Sequence, residues 1–120
     1  MAPRSEFAAF VEEVLQTVGP VDVRAMFGGH GVFLDGVMFG LLADDVLYLK
    51  VDDGNRGLFA DAGLEAFVFQ SGGRAVTMSF HRAPDALEDW ERFKPWVASA
   101  IDASRRARNS GPKQRARRRG

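Results

Sequence analysis

The sequence predicts an α+β fold, a two-layer sandwich in which an antiparallel sheet of about six strands carries its helices on one face. Three observations support this prediction. Apolar residues first recur at a helical spacing, then alternate with a period of two through four segments separated by turns, and then repeat the helix, strand and helix patterns once more. The predicted order of elements is α-β-β-β-β-α-β-β-α.

The first helix is predicted by one apolar stripe near the N-terminus. Six apolar residues follow the spacing i, i+3, i+4, i+7, i+8 and i+11, which places them on one side of a helix. The pair Gly19-Pro20 ends this helix. The residues of the stripe are Phe7, Phe10, Val11, Val14, Leu15 and Val18.

Four strands in a meander follow, and turn residues separate them. Alternating apolar residues predict a strand over 21–27. The glycine-rich run 28–31 interrupts it, and we expect a bulge or a turn with positive φ there. Asp35-Gly36 predicts a type I′ hairpin turn, and Asp44-Asp45 marks a further turn. The remaining three strands are predicted over 32–34, 37–42 and 46–51.

The second half of the chain predicts a short helix, two strands and a long helix. A helix over 55–62 begins after a carboxylate cap, and Gly63 suits its C-terminus. Strands follow over 66–69 and 75–80. The last helix is expected to open at Pro84-Asp85, and Pro95 predicts a kink or a break in it because proline cannot donate its backbone hydrogen bond.

The charges divide the chain into an acidic body and a basic C-terminal segment. Residues 1–104 hold all 16 acidic residues and eight bases, a net charge of −8, whereas residues 105–120 hold eight bases and no acid. The latter segment shows no apolar periodicity, so we expect one domain over 1–104 followed by a disordered basic tail. Its bases are Arg105, Arg106, Arg108, Lys113, Arg115, Arg117, Arg118 and Arg119.

Composition excludes several classes of protein. Cysteine is absent, which excludes disulfides, thiolate nucleophiles and cysteine-ligated metals. The longest apolar stretches are far shorter than the ~18 residues that a membrane span needs. Glu12 and Glu13 interrupt the first apolar segment where the apolar region of a secretory signal would lie. The sequence therefore predicts a cytoplasmic protein with no membrane contact.

The polar residues show no spacing that is typical of catalysis or of metal binding. His30 and His81 lack the spacing of a transition-metal pair. The glycines at 28–31 precede a strand, whereas a phosphate loop precedes a helix. Ser79 near His81 has no accompanying nucleophile elbow or oxyanion loop. We therefore predict no catalytic residue, no metal and no cofactor.

Two basic residues within the predicted strands stand apart from this pattern. Arg24 and Lys50 lie in segments whose apolar alternation is otherwise clear. One interpretation is that they bind an anion on the sheet. The alternative, which we favour, is a surface ion pair with Asp22 or a neighbouring carboxylate.

One block of residues carries a family resemblance. The run from Arg24 to Phe33 contains Arg24, Met26, Phe27, Gly28, Gly29 and Gly31, and Asp35-Gly36 follows with Phe39. In this pattern the chain resembles the TfoX N-terminal domain family, the TfoX/Sxy competence-regulator group, from about residue 7 to residue 103. The resemblance implies an open antiparallel sheet, a bacterial cytoplasmic protein and a role in regulating genes for DNA uptake. It implies no catalytic residues.

Longer members of that family carry a second, helical domain where this sequence has its basic segment, so we expect a stand-alone single-domain member. Its predicted function is a non-enzymatic regulatory module that binds a protein partner. The first alternative is nonspecific nucleic-acid binding through the eight bases of residues 105–120. The second alternative is a binder of small anions around Arg24 and Lys50. A homodimer that uses Trp90 and Trp96 remains open beside burial of both rings in the core.

Overall fold

A computed structural model describes residues 6–26 and 29–119, and the side chains of these residues up to residue 109. It confirms the predicted fold class and element order. The elements are α1 (Glu6–Leu15) with a 3-10 turn at Gln16–Val18, β1 (Val21–Met26), β2 (Gly29–Leu34), β3 (Val37–Ala43), β4 (Val46–Lys50), α2 (Arg56–Asp61), β5 (Ala66–Ser71), β6 (Arg74–Arg82) and α3 (Trp90–Arg119).

The six strands form one antiparallel sheet in the order β1-β2-β3-β4-β6-β5. After β4 the chain passes through α2, forms β5 at the edge of the sheet and returns as β6 between β4 and β5. Strands β4 and β6 pair at only three positions, from Tyr48↔Arg82 to Lys50↔Phe80. The remainder of β6 therefore extends past β4, and the β5–β6 hairpin projects from the sheet.

The core lies between the helices and one face of this sheet. Helix α1 packs on β1, and α3 packs on β3 and β4. Val11 of α1, Leu49 of β4 and Val97 of α3 are fully buried in it. Phe59 of α2 closes one end, where its ring meets Trp96 edge-on with the ring centroids 5.0 Å apart. The helical stripe and the strand alternation therefore meet in a single apolar layer, as their periods require.

Two tight turns confirm the predicted hairpins. Asp35 and Gly36 have φ angles of 54° and 78°, as a type I′ turn requires. Asp44 and Asp45 also have positive φ, 52° and 60°. The second turn thus places two residues with a Cβ atom where glycine or asparagine is the usual choice.

The expectation for the glycine-rich run is wrong for its described residues. Gly29 and Gly31 belong to β2 without positive φ, while Gly28 lies outside the described residues. Their lack of a side chain serves close packing instead. A Cβ atom at Gly29 would collide with the carbonyl oxygen of Leu42, and one at Gly31 would lie 2.5 Å from the Met26 sulfur.

The last helix begins later than predicted. Pro84 and Ala86 form a turn instead of a first helical turn, and the backbone N–H of Phe93 donates to the carbonyl oxygen of Asp89. The Asp89 carboxylate also accepts a long hydrogen bond, 3.5 Å, from the backbone N–H of Arg92. Asp89 is therefore the N-cap residue, a position that favours aspartate.

The last helix also differs from the prediction along its length. Helix α3 runs as one element through Pro95, so the break offered as one alternative does not occur, and the kink offered as the other stays a prediction. Pro95 cannot donate to the carbonyl of Glu91, and the helix continues past this one lost hydrogen bond. Helix α3 continues to Arg119, and the division into a domain over 1–104 and a disordered tail over 105–120 stays a prediction. Arginine, alanine, lysine and glutamine in that segment favour a helix, whereas Gly111 and Pro112 oppose one.

The two hairpin turns provide a matched test of backbone strain. Replacing Asp45 by glycine removes the Cβ atom from a positive-φ position, and we expect Asp45→Gly to raise the free energy of unfolding by about 0.5 kcal/mol. Gly36→Ala should lower it by about 1 kcal/mol, since a Cβ atom there meets nothing within 4 Å and only the φ of 78° opposes it. Urea denaturation measures both changes in the free energy of unfolding. Changes of the same sign in the two variants would contradict the assignment of positive-φ strain to these turns.

Candidate functional site

The face of the sheet opposite α1 and α3, here called the open face, is apolar. The pairs Val23↔Val32 and Gly40↔Leu49 place alternate residues in the core, so their neighbours along each strand point to the other side. Leu41 and Phe80 are buried there, outside the core cluster. The open face comprises Met26, Phe33, Met38, Leu41, Tyr48 and Phe80, together with residues of the β5–β6 hairpin.

The open face is concave and contains a groove of about 520 Å³. Residues from β1 to β3 line one side of the groove. Phe67 and Phe69 from β5 and Met78 from β6 line the other. The sheet is therefore curved enough for its outer strands to surround one cavity. The rings of Tyr48 and Phe67 pack together here, with their centroids 4.8 Å apart.

This face leaves a signal in the sequence that the sequence analysis did not use. An antiparallel sheet with one covered face normally alternates apolar and polar residues. Here 32–34, 37–43 and 66–69 are uninterrupted apolar runs. Such runs indicate strands that are apolar on both faces, and the helices cover only one of these faces.

Arg24 lies on the open face and is ion-paired. Its Nε atom lies 2.9 Å from Asp22 Oδ2, and its guanidinium stacks 4.5 Å from the centroid of the Phe33 ring. The interpretation of Arg24 as part of a surface ion pair is confirmed. Both partners of the pair are more than half exposed, so it contributes at most ~1 kcal/mol.

Lys50 behaves differently from Arg24. Its ammonium donates a hydrogen bond of 2.8 Å to Ser79 Oγ and lies 5.2 Å from the centroid of the Phe80 ring. No carboxylate of residues 6–26 or 29–109 lies within ion-pair distance of it. Burial lowers the pKa of Lys50, and the charge of Asp52 opposes this only in part. The expected ion pair is therefore wrong for Lys50.

A second polar contact ties α3 to the loop after β4. Arg106 forms a bidentate ion pair with Asp52, with Nε–Oδ2 and Nη2–Oδ1 distances of 2.6 and 2.8 Å. This hydrogen bonding, aided by the backbone N–H of Gly54, lowers the pKa of Asp52 to about 2. The first turn of the basic segment is thus held against the body of the protein.

Asn55 reinforces the same junction. Its buried amide donates hydrogen bonds to the carbonyl oxygens of Lys50, at 3.0 Å, and Ser99, at 3.3 Å. Its Oδ1 accepts a bond of 2.8 Å from the backbone N–H of Asp52. Asn55 therefore joins β4 to α3. The carboxylate cap expected before α2 is not found, because no side-chain hydrogen bond caps the N-terminus of this helix. Only the tertiary structure brings Ser99 to this position.

The bases of the C-terminal segment fall into two groups. Arg105, Arg106 and Arg108 lie on exposed helix. Arg108 lines a second cavity of about 720 Å³ together with Lys50 and Phe80. The side chains of the other five bases lie outside the described residues: Lys113, Arg115, Arg117, Arg118 and Arg119.

The family motif lies at the β1–β2 hairpin. Arg24 pairs with Gly31 and Met26 with Gly29 across the two strands. Gly31 makes room for the Met26 and Phe33 side chains, because a Cβ atom there would overlap both. The motif residues Phe27 and Gly28 lie outside the described residues. Where it is described, the motif thus shapes one end of the open face.

The two histidines are not brought together. The Nδ1 atom of His81 lies 2.7 Å from the carbonyl oxygen of Leu64, and the Ser79 hydroxyl accepts a hydrogen bond from Lys50. Over the described part of the chain, no group of three or more histidine, aspartate and glutamate residues could hold a metal ion. None of the helices there is long and apolar enough to span a membrane.

Comparison with known proteins assigns the class. Residues 13–104 match the model of the TfoX N-terminal domain, so the chain belongs to the TfoX N-terminal domain family. It is also similar to a curated protein, Protein Sxy of Escherichia coli (strain K12), with 25% identity over 76 residues. That match covers 63% of this chain and 36% of the length of the relative.

The ion pair between Asp52 and Arg106 predicts a pH-dependent stability. Because the pKa of Asp52 falls from 3.8 to about 2 on folding, the stabilisation is complete above pH 4 and is lost as the pH falls toward 2. Asp52→Asn should lower the free energy of unfolding by about 1 kcal/mol at pH 7, a value reduced for the exposure of Arg106. Urea denaturation at pH 7 and pH 2.5 measures the difference.

Asp53→Asn is the matched control, since the Asp53 carboxylate is 99% exposed and pairs only with the neighbouring helical residue Arg56. We expect it to change stability little at either pH. An Asp52→Asn effect that is the same at pH 2.5 as at pH 7 would show that Arg106 does not stabilise the ionised carboxylate.

Proposed function

We propose that this protein is a non-enzymatic regulatory module that binds a protein partner along the edge strand β5. One observation carries this proposal. In the sheet order, β5 is the last strand, and across the described residues it pairs with β6 alone. Its outer edge therefore presents backbone N–H and C=O groups that a partner strand can bind.

The two edges of the sheet differ in chemistry. Strand β1 carries the exposed ion pair of Asp22 and Arg24, and charged residues on an edge oppose the addition of another strand. Strand β5 has the sequence Ala-Phe-Val-Phe-Gln-Ser, with no charge and no proline. Val68 of β5 is 46% exposed. An uncharged, apolar edge is suited to pairing, so the partner we propose offers an extended segment with alternating apolar side chains.

Family membership supports the regulatory setting. The chain belongs to the TfoX N-terminal domain family and is similar to Protein Sxy. We infer that its partner acts in the regulation of transcription connected with competence. Partner strand addition at β5 would then link this domain to the machinery that controls genes for DNA uptake.

Photo-crosslinking in the source bacterium tests this interface. A photoreactive amino acid at position 68 should give a discrete protein adduct, whereas one at position 58 should give none. Leu58 is the matched control because it is 45% exposed, almost as much as Val68, but lies on α2. The purified adduct partner should then bind Val68→Lys at least tenfold more weakly than the parent, since an edge lysine opposes pairing. It should bind Leu58→Lys within twofold of the parent.

Cells with Val68→Lys should also lose expression of DNA-uptake genes, while cells with Leu58→Lys should keep it. Equal adducts at both positions, or unchanged partner affinity in Val68→Lys, would refute the β5 interface. An adduct consisting of two copies of this chain would show that β5 forms a homodimer instead.

Nucleic-acid binding is a second candidate function, and the path of α3 favours it. The eight bases belong to α3, whose residues 105–119 span roughly 22 Å. Arginines spaced along a helix suit contact with successive phosphates. The acidic body weakens this attraction, so we expect low sequence preference and strong dependence on salt.

Changing five bases of the segment to glutamine in the full chain tests this candidate: Lys113, Arg115, Arg117, Arg118 and Arg119. If these five contact phosphates, the slope of log K against log salt is near −4.5 in the parent and should approach zero in the variant. A control with the same change in charge replaces five exposed bases of the body: Arg56, Arg74, Arg82, Arg92 and Lys94. Fluorescence anisotropy with duplex DNA measures the affinity of both variants. If both lost the same DNA affinity relative to the parent, a specific role for the segment would be excluded.

A further inference from the structure

The groove of the open face and the second cavity, which also borders α3 at Ser104, Ala107 and Arg108, adjoin each other. The apolar groove and the second cavity share Met38 and Phe80 as lining residues. Lys50 lines the second cavity beside this junction, and its ammonium lies 5.2 Å from the Phe80 ring centroid. The groove and the second cavity therefore adjoin at Met38 and Phe80; together they are here called the channel, with the β5–β6 hairpin at one end and Lys50 at the other.

Charge is distributed unevenly along this channel. At one end, Lys50 and Arg108 line the second cavity. Asp35 lies in the hairpin turn at the same end, and Asp44 lies at the opposite end of the groove. Between the two ends, Leu41, Phe67 and Met78 present only apolar atoms. The channel is therefore complementary to a molecule with an apolar body and a negative charge at one end.

Lys50 supplies a reason to expect such a molecule. Over residues 6–26 and 29–109, its half-buried ammonium donates a hydrogen bond to the Ser79 hydroxyl and has no carboxylate within ion-pair distance, although the charge of Asp52 acts on it from farther away. A partly desolvated ammonium with no carboxylate in contact has lost hydration that an anion can replace. The burial that disfavours the free ammonium strengthens its attraction for a bound anion.

We propose that the open face binds a small amphiphile with a linear apolar chain and an anionic head group, either a carboxylate or a phosphate ester. The chain lies in the groove along Leu41, Phe67 and Met78, and the head group binds Lys50 and Arg108. The groove is lined by residues of β5, Val68 among them, whereas the interface proposed above uses the outer backbone edge of that strand, so this site goes beyond that interface. Phe67 and Phe69 of β5 line the groove, and a bound ligand would contact the strand that carries that interface.

Isothermal titration of the full-length protein with defined amphiphiles, below their micelle-forming concentrations, tests the site. Decanoate and decyl phosphate should each bind with one-to-one stoichiometry, at least tenfold more tightly than decanol, which lacks the charge. Affinity should rise about four- to fifteenfold for each two carbons from octanoate to dodecanoate, because each added methylene is buried in part or in full. The tighter of decanoate and decyl phosphate identifies the head group.

Substitutions at Lys50 separate the head-group contact from the apolar groove. Lys50→Met retains a long apolar side chain and should weaken decanoate binding at least tenfold while leaving decanol binding unchanged. Lys50→Arg should stay within threefold of the parent. Lys94→Met, on the exposed surface of α3, is the matched control and should have no effect. Met78→Asp should weaken both decanoate and decanol, because it places a carboxylate in the groove.

Several results would overturn the proposal. The first is that Lys50→Met binds decanoate as tightly as the parent does. The second is that Lys94→Met loses as much decanoate affinity as Lys50→Met, and the third is that inorganic phosphate binds as tightly as decyl phosphate. Loss of binding in the five-base glutamine variant with no loss in Lys50→Met would place the anion on the basic helix instead. Because none of these measurements needs a partner protein, failure here leaves the β5 interface untouched, and failure of that interface leaves this site untouched.

Discussion

One constraint shapes this molecule: its sheet is apolar on both faces, and the chain supplies helices for only one. On the covered face, α1 and α3 bury residues such as Val11, Leu49 and Val97. On the open face, the curvature of the sheet brings its outer strands around the remaining apolar side chains and buries Leu41 and Phe80 without a second layer. Curvature is therefore both a means of hiding apolar surface from water and the origin of the groove.

The junction at the end of β4 determines where the charges of the open face lie. Asp52 binds Arg106, and Asn55 joins β4 to Ser99 of α3. These contacts hold α3 where its Arg108 reaches the cavity beside Lys50. The polar residues of this junction add no side chain to the apolar core, yet their contacts determine that the basic segment begins beside the sheet. Stability, the position of the basic helix and the cationic end of the channel thus depend on one small polar cluster.

Much of the fold could be predicted because it follows from local patterns. The apolar stripe of α1 and the Asp35-Gly36 turn are confirmed, and so is the order of all nine principal elements. The candidate site could be predicted only in part. The ion pair expected for Lys50 was wrong, and the disordered tail over 105–120 stays a prediction beside the continuation of α3 to Arg119. The Lys50 miss concerns a residue whose environment comes from a chain segment far away in the sequence, since its partner Ser79 lies in β6.

By itself, the sequence determined the class of fold, the family and the division of charge, because periodicity, turn chemistry and composition are properties of neighbouring residues. The tertiary structure decided which glycines are needed for close packing, how far the sheet curves and which side chains surround Lys50. The physical reason is that burial and hydrogen bonding depend on contacts between distant segments, as between Asp52 and Arg106. Such contacts have no local period from which they could be predicted.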